Sequence, residues 1–548
     1  MPSSAPATTG QAGGAAARRA LEALAGRHVV FLNWRDLDHP QSGGAELFCQ
    51  SVAAQFAAGG VEVTLLTARP RGLPATATVD GVTVRRGGGT FGVYPATLAR
   101  LARLARSGRG VDAVVDCQNG IPFFSPLVLP GRTPVVQVLH HVHQKQFPLY
   151  FPGPVARAGQ LLEKPGSRLV YRRRPVAVVS PSTRDEARSV LGLPGPRFLV
   201  PNGVTTSPTA GSAAGGRAVV PTIVCVGRLV PHKRMHLLIE AIPTLAARHP
   251  GLVVHFIGDG PDRERLATRA AELGVSQGGP ATGAALRWHG HVDAATRDAV
   301  LASAWLTVNP SHGEGWGLSV LEAGALGVPA VAFRVPGLRD AVRDGETGWL
   351  VDSPDQFGAV VDAALTELSD PARAGAWRAA ASHWAGGFTW ETSAALLATV
   401  LAGELTRAGR RDRRRLDDAV TRVWFPLAPD DPPPPLRGTD LLYRTRPVTA
   451  GALQAAGAEP GRFEPGGAPE PGTDEPGAVA LLYGASQAAA RTALARLGIA
   501  ASTARMRPAS GADLLVGTGR AWATDSPGLA ARPVVPTSPT TRAGRDTR

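Results

Sequence analysis

A chain of 548 residues is longer than one hydrophobic core organises, so two or three domains are expected. Its 44% apolar content suffices for burial, yet no run reaches the roughly 18 uninterrupted apolar residues of a membrane span. The net charge of +14 favours an anionic partner such as a nucleotide or an anionic lipid, while aromatics at 5%, none interleaved with a basic stripe, argue against nucleic acid.

Residues 1–26 open with MPSSAPATTGQAGG, lack the apolar core of a signal peptide and read as a disordered leader. Residues 27–34 (RHVVFLNW) form an apolar strand, followed by the loop RDLDHPQSGG and an amphipathic helix over 45–58. Further strands are expected at 61–67, 111–116, 134–139, 176–180 and 197–200, closing a first Rossmann-like domain at 27–203. Residues 204–220 are small, polar and Gly-rich, as a linker should be. A second α/β series over 221–405 has strands at 222–226, 252–257, 286–289, 305–309 and 330–333, with helices at 233–248 and 261–273. The fold class is α/β, two doubly wound domains facing a central cleft. Residues 406–548 are a Pro/Gly/Arg-rich extension, largely disordered or holding one small βα unit around 478–484, with no function assigned. Cys49, Cys117 and Cys225 share no metal or redox spacing and each lies in an apolar run, which suits small buried hydrophobes in a reducing cytoplasm.

Four stretches fit one ligand. In SHGEGWGLSVLEAGALG (311–327), Glu314 and Glu322 flank a glycine-rich turn, with Gly313, Gly315 and Gly317, that runs into an apolar helix over 318–326. Gly43 and Gly44 open the helix after the first strand, where an anion can meet backbone N–H groups. Arg228 and Lys233 lie on the loop after the first strand of domain two and can clamp a diphosphate; Lys occurs elsewhere only at 145 and 164. His140, His141 and His143 follow the strand at 134–139; no carboxylate or Cys joins them at ligand spacing, so a metal site is disfavoured.

With those residues in place, the sequence resembles the retaining glycosyltransferases of family 4 (glycosyl transferases group 1), which have the GT-B fold. The resemblance rests on GGAE at 43–46, the post-strand His140, PNGV at 201–204, VGRLVPHKR at 226–234, IGDGP at 257–261, HGHV at 289–292, the Glu-x7-Glu segment and the run GVPAVAF…GLRDAVRDGETGWLV, all in the family's order. It implies a nucleotide-diphosphate sugar as donor, with Arg228 and Lys233 neutralising the departing diphosphate and Gly44 approaching it from domain one. Glu322 would hold the ribose and Glu314 the donor sugar, while amides around Gly315, Trp316, Gly317 and Leu318 hold sugar and phosphate. His140, or His141 if the assignment slips by one, would lie beside the reacting sugar, and His289 near the base.

It further implies no metal and no cofactor, since fixed cations and helix N-termini answer the charge on the leaving group. The acceptor would be a glycan, lipid-linked or other cell-envelope molecule in polysaccharide biosynthesis, bound by domain one around 116–124 and 144–151. Localisation would be cytoplasmic, with the basic segment 164–174 (KPGSRLVYRRR) making peripheral contact with an anionic membrane at its inner face. Rival readings are a non-catalytic scaffold that binds nucleotide sugars and a sugar-nucleotide epimerase of similar architecture; the intact set His140, Arg228, Lys233, Glu314 and Glu322 favours the transferase. Thr205 departs from the acidic residue that often follows Asn-Gly-Val in the family.

Overall fold

The computed structural model describes residues 21–193, 197–205, 216–275 and 285–409, together with the backbone of five short strands beyond them. Domain one carries β1 (His28–Leu32), β2 (Glu62–Thr67), β3 (Thr76–Val79), β4 (Val82–Arg86), β5 (Ala113–Asn119), β6 (Val135–His141), β7 (Val176–Val178) and β8 (Arg197–Leu199). They lie in the order β8-β7-β6-β5-β1-β2-β4-β3, and pairing is parallel except at the β3–β4 hairpin. Asp80 and Gly81 turn that hairpin with φ of 48° and 79°, the left-handed pair a two-residue type I′ turn requires. β1 and the first six residues of β5 are buried throughout, as central parallel strands covered on both faces must be. Helix α1 (Gly44–Ala58) packs Phe48, Cys49, Val52, Ala53 and Phe56 on this sheet; α2 (Val93–Arg106) and α3 (Pro181–Ser189) complete the cover.

Domain two is an all-parallel sheet of β9 (Thr222–Val226), β10 (Val253–Ile257), β11 (Ala285–Gly290), β12 (Leu306–Asn309), β13 (Ala330–Phe333) and β14 (Gly348–Val351). Its order, β11-β10-β9-β12-β13-β14, is the dinucleotide-fold order 3-2-1-4-5-6, with the reversal between β9 and β12. The helices are α4 (His236–Arg248), α5 (Arg263–Glu272), α6 (Ala294–Ser303), α7 (Leu318–Ala325), α8 (Phe357–Leu368) and α9 (Pro371–Ala385). Ligands of open α/β sheets sit beyond the carboxyl ends of the strands at such a reversal. Here the loop after β9 holds Arg228 and Lys233, and the turn after β12 holds Glu314.

Three boundaries differ from expectation. Residues 21–26 are not leader: Leu21 and Leu24 are buried in the core of domain one. The last helix, α10 (Trp390–Gly409), does not belong with domain two; Trp390, Ala394, Leu397 and Leu401 enter the same core of domain one. The helix expected from Lys233 begins at His236, because Pro231–Lys233 forms a 3₁₀ turn ending on Arg234 at φ 50°. Residues 1–20 and linker residues 206–215 lie outside the described residues. So does most of 410–548, including the Ala-rich helix expected after the strand at 478–484. That strand is β17 (Gly477–Tyr483), which with β15 (Val420–Pro426), β16 (Gly461–Glu464) and β18 (Ser502–Arg507) makes an antiparallel sheet in the order β16-β17-β15-β18. The two-residue β19 (Asp513–Leu514) pairs parallel with β8. Among the described residues no helix is long and apolar enough to cross a membrane.

The α10 assignment has a measurable consequence. Trp390 is 7% exposed, packs on Phe48 and donates from Nε1 to Thr205 Oγ1 at 2.6 Å. Trp390→Ala is expected to cost about 3–5 kcal/mol, read as a fall in the denaturant midpoint of the domain-one transition.

Candidate active site

The two domains meet through backbone. An added Cβ on Gly315 would lie 2.1 Å from the carbonyl oxygen of His140, so only glycine allows this approach. Thr183 Oγ1 of α3 donates to the Gly315 carbonyl at 3.2 Å from the same side. On the other side the segment after β13 closes in: Glu314 N–H donates to Pro336 O at 3.1 Å, and Gly337, at φ 78°, would place a Cβ 2.2 Å from Glu314 O. Gly317, left-handed at φ 83°, caps α7, whose first residue Leu318 reaches within 3.6 Å of a Cβ built on Gly44. The N-termini of α1 and α7, one from each domain, therefore open onto a shared space.

Glu314 is the electrostatic centre. Its carboxylate pairs with Lys233 Nζ and accepts from Ser311 Oγ at 2.7 Å. Burial alone would raise its pKa, but the Lys233 charge and the hydrogen bonds from Lys233 and Ser311 outweigh burial and hold it below the usual range, ionised at neutral pH. Arg228 is exposed and acts electrostatically on Arg35 and Glu46 of domain one. Glu46, buried at the third position of α1, accepts from the Gly43 N–H at 2.8 Å, the carboxylate half of a capping box, Gly43 having no side chain to supply the other half.

The histidines are neutral. His140 lies within β6 rather than after it, packed edge-on against Phe48 at 5.0 Å, and burial with the neighbouring His143 lowers its pKa to about 3. Its Nε2 is buried and meets no hydrogen-bond partner in the protein, so it is the ring atom with capacity left for a ligand. His141 pairs through Nε2 with Gln146 at 2.7 Å, and a Cβ on Gly313 would sit 3.9 Å from its Cε1. The structure thus brings both histidines to the turn, His140 through its backbone carbonyl; each has one buried ring nitrogen without a partner, Nε2 of His140 and Nδ1 of His141.

Other expected residues fall further out. Glu322, buried on α7, is held by Arg297 of α6 at 3.3 Å; burial dominates and pushes its pKa up to about 7, against the pull of Arg297. His289 shares a 2.8 Å contact with His255 Nδ1 on the neighbouring strand. The ring of Trp316 is buried edge-on against Phe388 in a cluster with Val179, and its Nε1 meets no partner in the protein. Sequence reading missed Ser311, Arg297, Arg35, and the pair Tyr150 Oη–His232 Nδ1 that joins the domains beside Lys233. It also missed Asp340, whose carboxylate accepts from Ser182 N at 3.0 Å at the start of α3, while Arg339 Nε donates to Ser182 Oγ at 2.9 Å. A carboxylate at a helix N-terminus had a signal only if the helix lay in the same domain.

Two measurements check this arrangement. Because Glu322 binds its proton more tightly folded (about 7) than at its ordinary value of 4.5, its contribution to stability is greatest below pH 4.5 and is lost as pH rises to 7. The difference in unfolding free energy between the parent and Glu322→Gln should therefore shift against the parent by about 3 kcal/mol across that window and stay flat above it. Asp340→Ala should cost about 1–3 kcal/mol in thermal or denaturant unfolding, and Asp340→Asn, which retains an acceptor oxygen, clearly less.

The family model described as Glycosyltransferase Family 4 matches residues 42–208, and that for Glycosyl transferases group 1 matches residues 218–384. Among similar proteins, the GDP-mannose-dependent alpha-(1-6)-phosphatidylinositol monomannoside mannosyltransferase of Mycolicibacterium smegmatis is 38% identical over 190 residues, 33% of this chain and 48% of that protein. A glycogen synthase of Mycobacterium tuberculosis is 31% identical over 270 residues, 49% of this chain and 62% of that one. The chain thus spans about half to three-fifths of the length of these two relatives. Among solved structures, a sucrose-phosphate synthase of Thermosynechococcus elongatus superposes with TM-score 0.56 at 19% identity, over 70% of this chain and 98% of that one, which shows the GT-B fold. With two switch-point sheets closing on one turn and both family models in sequence over them, the chain belongs to glycosyltransferase family 4.

Proposed function

We propose that this protein is a retaining glycosyltransferase that moves a hexosyl group from a nucleoside-diphosphate sugar to a lipid-linked or other envelope glycan acceptor. The observation that carries the reading is the turn at Glu314–Gly315, seated between Lys233 and the His140 carbonyl at the switch point of domain two. Breaking the glycosyl–phosphate bond builds negative charge on the diphosphate and positive charge on the ring. Lys233 and Arg228 would meet the first charge together with the amides at the starts of α1 and α7, so the reaction needs no metal.

Lys233 now pairs with Glu314. A bound diphosphate would compete for that ammonium and leave Glu314 free to accept from sugar hydroxyls. His140, neutral and with its Nε2 unengaged, would hydrogen-bond the donor sugar as the acceptor attacks the face that the diphosphate leaves. Glu322 with Arg297 would hold the ribose and His289 would flank the base. Acceptor binding is assigned to domain one, with peripheral contact at an anionic membrane, in keeping with the phosphatidylinositol mannoside named for the mycobacterial relative. That relative also puts GDP-mannose first among donors to test.

The test is a donor panel of GDP-mannose, UDP-glucose and ADP-glucose, followed by calorimetric binding and by slow hydrolysis in the presence of a chelator. One donor is expected to bind and turn over with the chelator present. Lys233→Ala is expected to weaken it by about 1.5–3 kcal/mol, the worth of a charge-assisted contact. If no nucleotide sugar binds, the proposal is wrong; if one binds but no acceptor or water receives the sugar, a binding scaffold takes its place.

A further inference from the structure

Between residues 153 and 170 the chain is one continuous helical run, α-helical over Gly153–Leu161, π-helical over Leu162–Gly166 and α-helical again over Ser167–Val170. Its amphipathicity is inverted. The face turned to the protein carries Ala156, Gly159, Glu163 and Ser167, with Gly159 so close to Phe147 that an added Cβ would lie 2.6 Å from the ring. The face turned outward carries Val155, Leu161, Leu162 and Leu169, with Leu149 beside it; Leu149, Leu161 and Leu169 are 66%, 63% and 68% exposed. Large apolar side chains clustered in this way on the outside of a helical run mark a surface that something covers.

Charge says what covers it. Lys145, Arg157, Lys164, Arg168, Arg172 and Arg173 are all exposed around these leucines. The one carboxylate in the stretch, Glu163, is fully buried and spent internally, accepting from His143 N at 2.6 Å and from Gln144 Nε2 at 2.7 Å. The stretch is therefore leucine and cation and contributes no exposed acid of its own. Leucines rimmed by Lys and Arg fit an interfacial helix on anionic lipid.

We propose that the helical run 153–170, with the turn before it, is a docking face for an anionic bilayer. Leu161, Leu162 and Leu169 enter the acyl boundary, and Lys164, Arg168, Arg172 and Arg173 meet headgroup phosphates. The face starts at the mouth of the cleft, where Tyr150 touches His232, the neighbour of Lys233. Docking would thus bring the opening of the cleft to the lipid surface. That use, receiving a lipid-linked acceptor, rests on the transferase reading; the docking face itself does not.

The experiment is co-sedimentation of the full chain, without sugar nucleotide, with vesicles of equal phosphatidylglycerol and phosphatidylcholine and with vesicles of phosphatidylcholine alone. Binding is expected to the anionic vesicles and to fall at least tenfold on the neutral ones. It should fall at least tenfold again for Leu161→Ser with Leu169→Ser and, separately, for Arg168→Glu with Arg172→Glu, with circular dichroism matching the parent. No binding to anionic vesicles overturns the proposal, as does leucine-variant binding equal to the parent's. A lipid-free dimer that the leucine substitutions dissolve overturns it in favour of self-association. Because transfer is not measured, failure of the donor panel and failure of docking are separate results.

Discussion

Everything in the cleft depends on how closely three backbones converge at Glu314–Gly315. The His140 carbonyl presses from domain one and the Pro336–Gly337 segment presses from the neighbouring loop of domain two, both at distances where a side chain would clash. The turn cannot relax toward either without disturbing the other, so the Glu314 carboxylate and the first turn of α7 are held in place before any ligand arrives. Preorganisation of this kind removes the reorganisation cost that a developing charge would otherwise impose.

Electrostatics complete what sterics begin. Burial keeps His140, His141 and His143 well below their ordinary pKa, so they add hydrogen-bonding atoms to the cleft without adding charge. The permanent positive charge is left to Arg228, Lys233 and Arg35. Glu46 and Glu314 stand among these cations as internal counter-charges, with burial working against the ionised form of each. The field is strong yet locally balanced, a sensible condition for a site meant to accept and then release a polyanion.

Much of this was legible in the chain. The β-rich runs at 27–34, 61–67 and 222–226 were found nearly to the residue because strands buried on both faces are continuous in apolar residues. The Gly-rich turn, Lys233 and His140 stood out because their residue types are rare or conformationally demanding where they occur. The β3–β4 hairpin had its signal in Asp80-Gly81 but was passed over, its strands being short and half-exposed. The partners of the site were illegible for another reason. Ser182–Asp340 and Tyr150–His232 are chosen by tertiary approach, and nothing local in Asp340 or Ser182 distinguishes them from surface residues.

The return of α10 to domain one changes how the halves can move. The chain passes between domains twice, after Thr205 and before Trp390, and the two passages touch: Val204 N–H donates to Phe388 O at 3.0 Å, and a Cβ on Gly203 would lie 2.4 Å from Trp390 N. Two crossings that touch make one waist, so any rotation of one domain on the other would be centred on it. Contacts far from that waist would be displaced most for a given angle, while the crossing residues themselves would scarcely move.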